Sequence, residues 1–140
     1  MSATLPPTAT VRLRDVPGLL RSFAQADRAS LRAAWWTQRA VRSARRQLQS
    51  GGIEHLRVPP APVGPPSAAR GVAAILRRRE ERCLVSAAVW QEWHLAQGAR
   101  HDLIIGVTAP GGGFLAHAWL DGVPGGGDGF VEISRHPARQ

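Results

Sequence analysis

Lysine and tyrosine are absent from this 140-residue sequence, and cysteine and methionine occur once each. The single Cys83 excludes an internal disulfide and a metal site with several cysteine ligands, and a free thiol is typical of a reducing compartment. No apolar run reaches the ~20 residues of a membrane span, and the N-terminus lacks the apolar stretch of a secretory signal. We therefore expect a soluble, cytoplasmic protein with no membrane partner.

The composition favours one domain over residues 1–140. A hydrophobic content of 44% is enough for a core at this length. Prolines and glycines concentrate at 58–66 and 111–129, which indicates connectors. We divide the chain into an N-terminal helical part at 15–57, a proline-rich connector at 58–66 and a core region at 67–140. Phosphate loops, dinucleotide fingerprints and histidine pairs at zinc-ligand spacing are missing, so we expect neither a cofactor nor a metal.

All eighteen basic residues are arginines, and with ten acidic residues they give a net charge of +8. This surplus suits an anionic partner such as nucleic acid, a membrane surface or an acidic peptide. It also suits a solvated helical surface that binds nothing. We favour the solvated surface, because few aromatic residues lie between the arginines in the way that base stacking with single-stranded nucleic acid would need.

Apolar spacing predicts two helices in the N-terminal part. A short helix over 16–26 would begin at the capping residue Asp15. A longer helix over 28–49 would end at two glycines. Its apolar positions are Leu31, Ala34, Trp35, Val41, Ala44 and Leu48. We interpret Trp35 and its neighbour Trp36 as packing residues rather than as a ligand platform.

The rest of the chain predicts helices followed by strands, which is an α+β arrangement. Ser67 is placed to cap a helix over 68–79. The next helix, from Cys83 to about Gln97, is apolar on most sides and should be buried against a small antiparallel sheet. Either the chain breaks near Glu81 and a new helix starts at Cys83, or one long helix places Cys83 in its middle. Strands are predicted over 102–107, 114–120 and 130–134.

Cys83 and His117 are the two residues best suited to chemistry. At a helix N-terminus, unpaired backbone N–H groups favour the thiolate and can hold an oxyanion, which suits Cys83 as a nucleophile. His117 lies between two alanines on a strand, and it suits a general base if it comes within hydrogen-bond reach of the thiol. Each has a plainer interpretation, as an inert buried cysteine and as a core histidine.

An acidic partner for His117 is harder to choose. Asp121 lies four positions along the same strand, which is too far at ~3.3 Å per residue. A tight turn after this strand would bring Asp128 diagonally opposite the imidazole, whereas a wider loop would place Glu132 opposite. We choose Asp128 as the residue that orients the imidazole and keep Glu132 in reserve.

The other four histidines are not expected to take part. His94 lies on the same helix as Cys83 but about three turns away, roughly 16 Å at ~1.5 Å per residue. His55, His101 and His136 fall in loops or at the ends of elements, where solvent should surround them.

Together these residues resemble the transglutaminase-like peptidases of lasso peptide biosynthesis. The likeness rests on Cys-Leu at the start of a helix, Ile-Gly-Val in the next strand and Ala-His-Ala-Trp in the one after it. It covers about 68–134 of the chain. It implies a transglutaminase-like or papain-like fold in which Cys83 is the nucleophile, His117 the base and Asp128 its partner. Val85 departs from the family, which often has proline at that position.

The function that this resemblance implies is leader removal. The enzyme would hydrolyse the precursor of a ribosomally made lasso peptide through a thioester at Cys83. It would be the stand-alone peptidase of a split system, with a separate leader-recognition protein and a macrolactam synthetase as partners, because there is no room for a fused leader-binding domain. Two alternatives stay open. One is a basic binding module for nucleic acid or an acidic peptide, and the other is a transglutaminase-type acyl transferase.

Overall fold

The computed structural model describes residues 16–108, 111 and 113–140, with side chains from residue 27 onward. Helices and one small antiparallel sheet make up this part, so the α+β prediction is confirmed. The helices are α1 (Val16–Ser50), α2 (Ala69–Arg78) and α3 (Cys83–Ala96). The strands are β1 (Leu103–Thr108), β2 (Ala116–Leu120) and β3 (Phe130–His136). Short 3-10 turns lie at Ile53–His55 and Pro66–Ala68.

The N-terminal part forms one helix where the sequence predicts two. α1 passes through 26–28 without a break, because neither proline nor glycine interrupts it there. It ends at Ser50, directly before the two glycines, as predicted. The predicted cap at Asp15 lies outside the described residues.

The buried face of α1 differs from the predicted one. Trp36 is buried as expected, but Trp35 is 64% exposed and Leu31 is 70% exposed, so the packing prediction for these two is wrong. Trp36 is the better anchor because its indole N–H donates to the Pro59 carbonyl at 3.1 Å and its ring meets Trp93 at 6.0 Å. A buried indole needs such a partner for its N–H group.

α2 approaches α1 so closely that only glycine fits between them. Gly71 is buried, and a Cβ added there would overlap the carbonyl of Ser30. Ser67 does not cap α2 as predicted. It lies within the 3-10 turn that leads into the helix, and its carbonyl accepts a hydrogen bond from the Ser30 hydroxyl at 3.4 Å. α2 therefore follows this turn without a side-chain cap.

A short break separates α2 from α3 and decides between the two predicted alternatives. Glu80 has a φ of 48°, which ends α2, and Arg82 is extended with a ψ of 147°. The buried Glu81 carboxylate, 1% exposed, lies 2.6 Å from a guanidinium nitrogen of Arg45 on α1. Cys83 is consequently the first residue of α3 rather than a mid-helix residue.

The sheet has the order β2-β1-β3, with β1 antiparallel to both neighbours. β2 and β3 are not adjacent, so the predicted registers that set Asp128 or Glu132 beside His117 are wrong. The connection at 121–129 carries the chain past β1 to the far edge. Gly106 of β1 pairs with His117 on one side and with Glu132 on the other.

The core lies between the three helices and the inner face of the sheet. α3 is central to it, with five buried residues, and the prediction of a buried helix is confirmed. β2 closes the core with Ala118 and Leu120, each 6% exposed. In the described part of the chain, no helix is both long enough and apolar enough to cross a membrane.

Candidate functional site

Cys83 and His117 line one cavity of about 530 Å³. It lies between one face of α3 and the edge strand β2. The α3 residues share one face of the helix, namely Cys83, Ser86, Ala87, Trp90 and His94. β2 contributes the consecutive residues 117–120. Alternate side chains of a strand point to opposite faces, so Ala118 and Leu120, which are buried in the core, lie on one face of β2, and His117 and Trp119 lie on the other.

Cys83 begins α3 and is half-buried with a free thiol. The residue before it, Arg82, makes no side-chain capping bond, although its carbonyl accepts the N–H of Ser86. The first N–H groups of a helix have no partner within the helix. Cys83 therefore lines the cavity at the end of α3 where the first N–H groups lack a partner within the helix.

Aromatic rings hold His117 in place on β2. Its imidazole stacks on Trp119, with 6.0 Å between ring centroids and an interplanar angle of 20°. It also meets Phe130 of β3 at 4.9 Å. The absent side chain of Gly106 makes this possible, because a Cβ there would come 2.6 Å from the ring of Trp119. No hydrogen bond between the thiol of Cys83 and His117 is present among the described residues.

Neither predicted acid is hydrogen-bonded to His117 in the described part of the protein. Asp128 is exposed in a turn closed by a 3.1 Å bond from the N–H of Phe130 to the carbonyl of Gly127, and it does not line the cavity. Glu132 accepts bonds of 2.9 and 3.0 Å from Arg135 instead. Two of the three predicted residues, Cys83 and His117, thus line one cavity, and Asp128 is not among the lining residues.

Arg135 also binds the carboxylate of Asp121. Its guanidinium donates to the carboxylates of Asp121 at 2.7 Å and Asp102 at 3.0 Å, in addition to Glu132. The bond from Arg135 is the main reason why the pKa of Asp121 lies below its usual value. These three acids are therefore gathered on one arginine away from the cavity lining.

His94 lines the same cavity, although it was predicted to lie too far from Cys83 to take part. Its ring stacks on Trp90 at 5.7 Å and meets the edge of His101 at 5.0 Å. Burial, followed by the nearby His101, lowers the pKa of His94 below its usual 6.5. The spacing of Cys83, Trp90 and His94 along α3 was the available signal, because positions seven and eleven apart share a helix face.

Two further histidines differ from their prediction as solvated residues. His101 is half-buried, with its Nδ1 atom 2.8 Å from the carbonyl oxygen of Asp121. His136 is half-buried, with its Nε2 atom 2.8 Å from the hydroxyl of Ser134, and it lines a second cavity of about 240 Å³. His55 is exposed, as predicted.

The described residues include no group of three or more histidine, cysteine, aspartate or glutamate side chains placed to hold a metal ion. The chemically reactive side chains that line the cavity are the thiol of Cys83, the hydroxyl of Ser86 and the imidazoles of His94 and His117. In comparisons with protein families, curated proteins and solved structures, nothing matches this chain.

Proposed function

We propose that this protein is a cysteine peptidase of the transglutaminase-like fold that removes the leader from a lasso peptide precursor. One observation carries the proposal: Cys83 at the start of α3 and His117 on β2 line the same cavity. The two residues are far apart in sequence, and nothing in local helix or strand formation requires them to meet. The sequence motifs around them point to the same chemistry.

The proposed reaction is acyl transfer to Cys83 followed by hydrolysis. His117 takes the thiol proton, and the sulfur attacks the carbonyl carbon of the scissile peptide bond. Unpaired N–H groups in the first turn of α3 stabilise the negative charge that forms on the carbonyl oxygen. His117 then protonates the leaving amine, which leaves a thioester on Cys83. Water, deprotonated by His117, hydrolyses that thioester and restores the thiol.

No hydrogen bond joins Cys83 and His117 in the described structure, so the mechanism requires the imidazole to come within reach of the thiol when substrate binds. Catalytic hydrogen bonds are often long before substrate binds and shorten in the reacting complex. Stacking on Trp119 and Phe130 orients the imidazole by packing, which leaves its nitrogens available. We propose that Asp128 is the acid that joins His117, as the resemblance implies, by movement of the exposed turn on which it lies.

The proposed pathway partners follow from the same resemblance. A separate leader-recognition protein would speed cleavage by bringing the precursor to a peptidase that also cleaves free peptides, and a macrolactam synthetase would close the ring after cleavage. The proposed compartment is the cytoplasm, where the single thiol of Cys83 stays reduced.

The decisive experiment is cleavage of a proteome-derived peptide library, with new termini identified by mass spectrometry. The wild-type protein should produce cleavage products. Cys83→Ala should produce none, and His117→Ala should cleave at a rate roughly 10²–10⁴-fold lower. Trp35→Ala is the matched control, because this exposed α1 residue is not among those that line the cavity. Products formed equally well by Cys83→Ala would refute the proposed function.

The role of the acid is tested separately. If Asp128 orients His117, Asp128→Asn should lower kcat by at least tenfold while Glu132→Gln leaves it unchanged. An unchanged kcat in Asp128→Asn would show that Cys83 and His117 act as a pair, with the imidazole held by its aromatic neighbours alone.

A further inference from the structure

We propose that the Trp90–His94 end of the cavity is a specificity subsite for an apolar side chain of an extended peptide. That side chain would lie about five residues from the scissile bond. The inference rests on the proposed function, because it takes the bond to be cut as lying at Cys83. The inference goes further by naming which substrate residue is recognised and which residues of the protein recognise it.

The length of the cavity sets the number of substrate residues. Cys83 and His94 are the first and last α3 residues that line it, and they are separated by about 16 Å along the helix at ~1.5 Å per residue. An extended peptide advances ~3.3 Å per residue. About five residues therefore span the distance from the thiol to the His94 ring.

The outer edge of β2 favours an extended substrate. The N–H of Thr108 bonds to the Leu115 carbonyl, and the N–H of Asp121 bonds to the Asp102 carbonyl. Antiparallel bonding alternates along a strand, so the backbone groups of Ala116 and Ala118 point away from β1. Among the described strands, none lies on that side of β2. Such an edge pairs readily with an extended peptide.

β2 and α3 run together along the cavity, which defines its two ends. His117 lies near the start of β2, on the side of Cys83. The end of β2 meets the other end of α3, because His94 contacts His101 at 5.0 Å and His101 lies 2.8 Å from the Asp121 carbonyl oxygen. A peptide along the β2 edge would thus pass from the thiol to the Trp90–His94 pair.

The chemistry of the far end selects an apolar side chain. Trp90, His94, Leu120 and Val123 line it, and no carboxylate or guanidinium is found among the residues that line the cavity. His94 stacks on Trp90, and its lowered pKa keeps the ring uncharged at neutral pH. The net charge of +8 is therefore carried outside the cavity, and an apolar side chain gains most by being buried there.

The test is the cleavage-site profile of the peptide library. Wild-type cleavage sites should be enriched in Leu, Ile, Val, Met or Phe at the fifth residue from the cleaved bond. The enrichment should appear on only one side of that bond. Trp90→Ala should raise KM at least tenfold for such substrates with kcat little changed, because the interaction is made away from the reacting atoms. Trp90 is half-buried, so a second variant guards against loss of the fold.

Val123→Glu is that second variant, since Val123 is 39% exposed and tolerates a charge. It should shift the preferred residue at the same distant position to Arg or Lys and leave the other positions unchanged. Val63→Glu, at a position 75% exposed outside the cavity lining, should keep the wild-type profile. If the wild-type profile shows no preference at that distant position, or if Val123→Glu gives the same profile as the wild type, the subsite is refuted while the proposed peptidase activity stands. Absence of any wild-type cleavage would overturn both.

Discussion

Gly106 shapes the candidate site by having no side chain. The ring of Trp119 lies across it and supports His117. A Cβ at this position would come 2.6 Å from the ring of Trp119 and 2.7 Å from the carbonyl oxygen of Val131. The geometry of the imidazole therefore depends on a residue that makes no contact of its own with the cavity.

We predict that Gly106→Ala lowers the free energy of unfolding by about 1–3 kcal/mol, because the backbone oxygen of Val131 cannot move aside as a flexible side chain would. It should also displace Trp119, which tryptophan fluorescence would report. Urea unfolding measures the stability change. Gly52→Ala is the control, since nothing lies within 4 Å of a Cβ there. Equal stability of both variants would contradict this account of Gly106.

His94 should make stability depend on pH. Its pKa in the folded protein is below 6.5, mainly because burial disfavours the charged ring. The unfolded chain then binds more protons between the folded pKa and 6.5, so the stabilisation is complete above pH 6.5 and is lost as the pH falls below it.

We therefore predict that the wild type loses more stability than His94→Gln when the pH is lowered from 7.5 to 5.5. Urea midpoints at the two pH values give the comparison. His55→Gln serves as the control, because it also removes one histidine but at an exposed position. Parallel curves for the wild type and His94→Gln would show that burial of His94 does not affect folding in this range.

At the scale of elements, the start of α3 depends on a contact from α1. Glu81 is in the break before Cys83, and its carboxylate is 1% exposed while its partner Arg45 is 49% exposed. Arg45 Nη2 lies 2.6 Å from one carboxylate oxygen, and Arg45 Nε donates to the other at 3.2 Å. The pair keeps the break in one position and so determines which residue begins the helix.

We predict that Arg45→Ala costs about 1–3 kcal/mol, because a buried carboxylate loses its partner while the half-exposed arginine contributes less than a buried one. Hydrogen exchange at residues 80–86 should also speed up, since the start of α3 is no longer held. Arg46→Ala is the matched control, as Arg46 is exposed and forms no ion pair in the described structure. Unchanged exchange in Arg45→Ala would mean that the break is set by its own backbone.

At the scale of the whole molecule, Arg139 joins segments that are distant in sequence. Its guanidinium lies 2.8 Å from the carboxylate of Glu92 on α3 and donates to the Val58 carbonyl at 3.0 Å. Its own carbonyl accepts a bond from Arg100 at 2.9 Å. The C-terminal residues therefore tie the proline-rich connector to α3 and to the loop that follows it.

We predict that Arg139→Ala lowers the free energy of unfolding by roughly 1–2 kcal/mol, a value reduced by the partial exposure of this arginine. Guanidinium unfolding would measure it. Arg57→Ala is a suitable control, because Arg57 is exposed and its side chain bonds only to the adjacent Leu56 carbonyl. A loss no larger than that of the control would show that the C-terminal residues do not stabilise the fold.

Most elements could be predicted from the sequence because their signals are local. The apolar residues of α3, the glycines after α1 and the alternation in the strands each act within a few neighbouring positions. The choice between Trp35 and Trp36 could not be made in this way, because the two are adjacent and either fits an apolar face. A hydrogen bond to Pro59 and the ring of Trp93 decided it, and both partners are distant in sequence.

The sequence by itself therefore determined the α+β class, the central apolar helix and the choice of Cys83 and His117 as the residues to examine. Only the tertiary structure decided that β1 separates β2 from β3, that Asp128 does not line the cavity, and that His94 shares the cavity of Cys83. The physical reason is that strand order and cavity lining depend on free energies of contact between distant segments, whereas helix and strand patterns record only the preferences of neighbouring residues.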